Sequence, residues 1–143
     1  MTIKKHGSAT YEGLGKSGKG HVSTESGALS AQPYGFNTRF EDGNGTNPEE
    51  LIAAAHASCF TMALAFQLAD AGHEDGTLTT DAEVSLEKDG DGFTVTKSAL
   101  SLKGKVPGLD EAKFMELADK AKANCPISKL LNAKITLDAT FEG

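Results

Sequence analysis

The chain has 143 residues, 38% of them hydrophobic, with 20 acidic side chains against 14 basic ones and a net charge of −6. That length and apolar content suit one domain over residues 1–143 with a core of its own, and the acidic surplus argues against a nucleic-acid or anionic-membrane partner. The two cysteines show no Cys-x-x-Cys spacing, which removes the zinc-knuckle and thioredoxin-type readings.

In chain order, Met1-Thr2-Ile3-Lys4-Lys5-His6 runs into glycine and polar residues rather than an apolar stretch, so no secretory leader is expected and the location reads as cytoplasmic. In that compartment two cysteines point to redox or catalytic use rather than to a structural staple. Residues 1–45 are rich in Gly, Ser and Thr, and the short apolar runs at Ala9-Thr10-Tyr11 and His21-Val22-Ser23 predict short strands. Asp42-Gly43-Asn44-Gly45 predicts a turn. Asn47-Pro48-Glu49-Glu50 is a helix start, with an N-cap, a proline at the first helical position and acids in the first turn.

The helix then runs to about Asp70 and stops near Gly72, and Leu51–Ala69 contains no charged residue. It is apolar on nearly every side, which predicts a central helix covered all round. A membrane span is disfavoured by its alanine content, by His56, Ser58, Thr61 and Gln67, and by the missing basic or aromatic flanks. One small sheet covers only one face of a helix, so a second subunit is expected to supply further cover, giving a homodimer. Alternation through Leu78, Thr80, Ala82, Val84 and Leu86 predicts a strand, Asp89-Gly90-Asp91-Gly92 a hairpin, and the next strand shifts phase between Phe93/Val95 and Leu100/Leu102, which predicts a bulge. Helical spacing over 110–122, a short helix from Pro126 and a last strand through Ile135, Leu137, Ala139 and Phe141 complete a mixed α+β chain with antiparallel sheets.

The two cysteines sit in opposite settings. Cys59 lies in the apolar helix, where desolvation opposes its thiolate; Cys125, in Asn124-Cys125-Pro126, stands at a helix start, where free N–H groups favour one. Cys59 therefore needs a cationic or basic partner to be reactive. His56, three residues earlier on the same helix, is one candidate, although a packed histidine is the ordinary reading. Arg39 is the other: it is the only arginine among the 14 basic residues, as if a guanidinium fork were required there. Glu49 opens the helix about 15 Å before Cys59, too far to touch it but placed to hold an arginine, while Glu50 suits a capping box with Asn47.

Phe36-Asn37-Thr38-Arg39-Phe40, Gly45-Thr46-Asn47-Pro48-Glu49-Glu50-Leu51, Ala54-Ala55-His56-Ala57-Ser58-Cys59-Phe60 and Asn124-Cys125-Pro126 closely resemble the OsmC family, whose wider membership includes the organic hydroperoxide resistance proteins. The likeness extends to Lys19-Gly20-His21-Val22-Ser23-Thr24-Glu25-Ser26-Gly27, and the arginine just before the helix resembles the OsmC branch. The resemblance implies an intertwined homodimer and a thiol peroxidase without metal, haem, flavin or other cofactor. It implies Cys59 as the peroxidatic cysteine, Cys125 as the resolving cysteine, Arg39 with Glu49 as the activating pair, organic hydroperoxides as substrates, and a dithiol or lipoyl-type reductant. It gives His56 no catalytic role. Two rivals stand beside it: a cysteine hydrolase using Cys59 and His56, and a non-enzymatic binder of apolar ligands. A zinc site is the weakest option, because no ligand spacing supports it.

Overall fold

Small and polar residues alternating from Gly7 form strand β1 (Gly7–Glu12), which pairs antiparallel with β2 (Lys19–Thr24), and β2 pairs antiparallel with β3 (Gln32–Tyr34). The computed structural model describes residues 1–143, and the chain divides into two compact units, Met1–Leu51 and Ile52–Gly143. In the first unit Gly20 lies opposite both Tyr11 and Tyr34, and a Cβ there would collide with the Tyr34 ring. The bare backbone lets the two tyrosines meet edge to face, 6.0 Å apart. Pro33 is tolerated because β3 is an edge strand.

A five-residue helix α1 (Phe36–Phe40) follows, shorter than any periodicity in the sequence could reveal. The Gly35 N–H donates to Thr38 Oγ1 at 2.8 Å to close its first turn. Helix α2 (Pro48–Asp70) then begins as expected: Asn47 Oδ1 accepts from the Glu50 N–H at 2.8 Å, and Asn47 Nδ2 donates to the Thr38 carbonyl at 3.0 Å. The Glu50 carboxylate does not close a capping box; it accepts from Thr46 Oγ1 at 2.8 Å instead. At the far end Gly72 adopts φ 94°, its N–H reaching the Ala69 carbonyl and that of His73 the Leu68 carbonyl. This pair of bonds is a Schellman closure, which needs a residue free to turn left-handed.

In the second unit β4 (Thr77–Asp89) pairs antiparallel with β5 (Gly92–Lys105) across the tight turn at Gly90-Asp91. The expected bulge is present: Ser85 faces Lys97 and Leu86 faces Val95, leaving Thr96 without an opposite number. Beyond it the even residues Ser98, Leu100, Leu102 and Gly104 turn inward. After helix α3 (Glu111–Asn124) and the short α4 (Pro126–Leu130), strand β6 (Lys134–Glu142) joins β5 in parallel, from Lys97 opposite Lys134 to Lys105 opposite Glu142. The expected antiparallel arrangement therefore holds for β4–β5 but not for β5–β6. A helical crossover returns the chain to the same end of the sheet, and alternation alone carries no strand direction.

The core of this unit gathers Phe60, Leu64 and Leu68 of α2, Leu100 and Leu102 of β5, Val106, and Phe114, Leu117, Ala118 and Ala121 of α3. Burying a side chain such as Phe60 or Phe114 contributes about 1.5–3 kcal/mol. Along α2 the buried residues are His56, Phe60, Leu64 and Leu68, one stripe at four-residue spacing. Complete burial of α2 is not achieved within one chain: Met62 is 59% and Phe66 67% exposed. By length and composition α2 would also suffice to cross a membrane, yet its stripe is committed to a packed protein core.

Candidate active site

The candidate residues form two pairs, each inside its own unit. In the first unit Arg39, in the last turn of α1, meets Glu49, in the first turn of α2. Its Nε donates to Glu49 Oε1 at 2.8 Å and its Nη2 to Oε2 at 3.0 Å. Both carboxylate oxygens are engaged by one planar fork, an arrangement lysine cannot reproduce. The guanidinium carbon stands 5.5 Å from the centre of the Phe40 ring, and Phe40 packs on Phe36 at 5.1 Å. With Glu50 bonded to Thr46, the two neighbouring acids divide their work, one holding Thr46 just before the helix and the other orienting the arginine. A cavity of ≈270 Å³ beside the pair is lined by Tyr11, Tyr34, Phe36, Arg39, Phe40 and Pro48.

In the second unit the two free cysteines come together, Cys59 partly exposed on α2 and Cys125 fully buried where α3 ends and α4 begins. Burial pushes the Cys59 thiol above the ordinary cysteine value, and its side-chain hydrogen bond with Cys125 adds to the rise. The Ile127 N–H, in the first turn of α4, hydrogen-bonds the Cys59 sulfur and pulls the other way. From sequence, the helix-start donors are expected to serve Cys125. In the structure this donor serves Cys59, while Cys125 spends its own N–H on the Ala121 carbonyl at 2.9 Å.

His56 does not serve as a base for Cys59. Its ring is fully buried, with Nδ1 2.6 Å from Ser98 Oγ and Nε2 2.7 Å from Ser128 Oγ. Both nitrogens are engaged, and burial lowers its pKa, which favours the neutral ring. The packed reading of His56 holds, and the Cys59/His56 hydrolase loses its base. Sequence reasoning missed Ser98, Ser128 and the Ile127 N–H. Ser98 did carry a signal, a lone hydroxyl in phase with Leu100 and Leu102 on the inward face of β5. No group of three or more His, Cys, Asp and Glu side chains is arranged to hold a metal ion.

A sequence model for OsmC-like protein matches residues 41–140. The chain belongs to the OsmC-like protein family. It is 57% identical over 138 residues to Peroxiredoxin OsmC of Escherichia coli strain K12, covering 96% of both chains. It is 35% identical over 100 residues to the organic hydroperoxide resistance protein of Xanthomonas axonopodis pv. citri, covering 69% of this chain and 68% of that one. Among solved structures, the organic hydroperoxide resistance protein OhrB of Bacillus subtilis superposes with a TM-score of 0.69 at 30% identity, over 94% of this chain and 98% of the other. These likenesses place the α+β architecture, with two small sheets and a central helix, within the OsmC-like fold.

Proposed function

We propose that this protein is a thiol-dependent peroxidase that reduces organic hydroperoxides to alcohols. The observation that carries the reading is the meeting of a partly exposed thiol, Cys59, with a buried one, Cys125, in a chain so similar to a peroxiredoxin. In this reading the Cys59 thiolate attacks the terminal peroxide oxygen, the O–O bond breaks, and the alkoxide leaves as an alcohol after taking up a proton. Cys59 is left as a sulfenic acid. The Cys125 thiol condenses with it, releasing water and forming the Cys59–Cys125 disulfide, and a dithiol or lipoyl-type reductant restores both thiols by exchange.

Burial and Cys125 both hold Cys59 protonated, so the reaction needs a cation to offset them. Arg39 takes that role, stabilising the thiolate and the charge that develops on the leaving oxygen, with Glu49 fixing the fork. The aromatic wall of Phe36 and Phe40 beside Arg39 favours alkyl peroxides over hydrogen peroxide. Residues 1–143 act as one domain, two chains associate as a homodimer over the open faces of α2, and the enzyme works in the cytoplasm.

One equivalent of an alkyl hydroperoxide added to the reduced protein tests this directly. Loss of both thiols with a decrease of about two daltons in intact mass is the expected result. Two untouched thiols would remove the peroxidase reading and leave the apolar-ligand binder.

A further inference from the structure

The structure assigns His56 a positioning role in the resolving step: by holding Ser128, it keeps the start of α4, and with it Cys125 and the Ile127 N–H, against Cys59. The inference rests on the peroxidase reading and adds to it a residue that performs no chemistry on the substrate.

Helix α4 has five residues, and none of them is buried. Ile127 packs partly against the core, so little apolar contact holds this turn in place. Yet the turn delivers two groups to one sulfur: Cys125 caps it, and its Ile127 N–H bonds Cys59. The polar anchor is the His56 ring, 2.7 Å from Ser128 Oγ on α4 and 2.6 Å from Ser98 Oγ on β5. His56 is itself one turn before Cys59 on α2. A single buried imidazole thus ties the helix bearing the peroxidatic thiol, the central strand of the sheet and the helix beginning at the resolving thiol. In its neutral form the ring offers one donor and one acceptor, and each serine hydroxyl rotates to match. Buried hydrogen bonds of this kind fix geometry because breaking one strands a desolvated polar group.

The resolving step is where such an anchor is read out. Disulfide formation demands a narrow sulfur–sulfur geometry, and the sulfenic acid has a competing fate. Condensation with the Cys125 thiol gives the disulfide and water. Reaction with a second hydroperoxide instead transfers another oxygen to sulfur, giving a sulfinic acid and a second alcohol. Loosening α4 slows the first route and leaves the second, which needs no Cys125, unchanged.

Ser128→Ala removes the anchor from a half-buried site, and His56→Gln removes it from the other side. Reduced protein is mixed with increasing cumene hydroperoxide, then analysed by intact mass and by dimedone trapping. Ser128→Ala should form the disulfide roughly tenfold more slowly, the scale expected when a positioned reacting group is let go. Its sulfinic product should rise at matched peroxide, with the first, peroxide-consuming step within about twofold of wild type, because a loosened α4 withdraws both the Ile127 N–H, which favours the Cys59 thiolate, and the Cys125 thiol, which opposes it. Ser128→Thr, which keeps the hydroxyl, should restore disulfide formation. Wild-type partitioning in Ser128→Ala would overturn the inference even if His56→Gln fails to fold. Equal slowing of both steps would also overturn it, because that marks general loosening of the site. A wild-type protein that keeps both thiols would instead remove the peroxidase reading on which the inference stands.

Discussion

At the scale of single residues, the fork between Arg39 and Glu49 makes the sharpest demand. Two bonds of 2.8 and 3.0 Å use both carboxylate oxygens, and a point charge on a flexible stem cannot match that pattern. Arg39→Lys is therefore expected to lose about tenfold or more in kcat/KM for an alkyl hydroperoxide despite its kept charge. Activity equal to wild type would strip the arginine of its role. His56 supplies a second prediction, in stability. Its folded-state pKa is depressed below the ordinary 6.5 by burial. As pH falls through 6.5 the unfolded chain takes up a proton that the folded chain refuses, so this residue's contribution is full above that value and drains away below it. Urea midpoints measured from pH 7.5 to 5 should fall with pH, and His56→Gln should flatten the slope; an undiminished slope would place the titration elsewhere. The pairing of Arg39 with Glu49 was legible in the sequence from a lone arginine before a helix that opens on two acids, although Glu50 turns out to bond Thr46 rather than to close the expected capping box. The serine partners of His56 were not, since they lie 42 and 72 residues away and only packing brings them in.

Among the elements, β5 carries the most information per residue. Its change of phase is written in the sequence, odd residues first and even residues after, and the unpaired Thr96 is the physical cause. The direction of β6 was not legible, because an alternating strand reads the same for a parallel or antiparallel neighbour. Nor was α1, which is too short to show a period. Inside β5, Gly104 lies beneath the Phe114 ring, which itself packs 4.6 Å from Phe141. A Cβ at Gly104 would overlap the Phe114 ring, and the crowded aromatic pair leaves it little room to retreat. Gly104→Ala should cost about 1–3 kcal/mol of unfolding free energy, the range for overpacking a well-filled core. Denaturant titration with an unchanged midpoint would mean that the ring can slide aside.

For the whole molecule the decisive feature is a helix whose apolar character exceeds what one chain can cover. Only the stripe His56, Phe60, Leu64 and Leu68 of α2 is buried, while Met62 and Phe66 face outward. Solitary apolar residues on a surface are ordinary, but large ones on a single central helix support the proposed homodimer. Light scattering should give twice the 14.9 kDa chain mass, and Phe66→Glu should shift it towards the monomer by placing a charge on that face. A monomeric mass for the unaltered protein at micromolar concentration would refute the homodimer.

The unequal accessibility of the two sulfurs also gives the proposed cycle a regiochemistry. Cys125 is sealed at 0% exposure, whereas Cys59 retains an open side. An incoming reductant thiolate meets the disulfide at its Cys59 end, so Cys125 is the leaving group and the mixed disulfide is carried on Cys59. The sulfur that received the peroxide oxygen is thus the one that later holds the reductant. Oxidant and reductant share one doorway and must pass through it in turn, which gives ping-pong kinetics from solvent access alone.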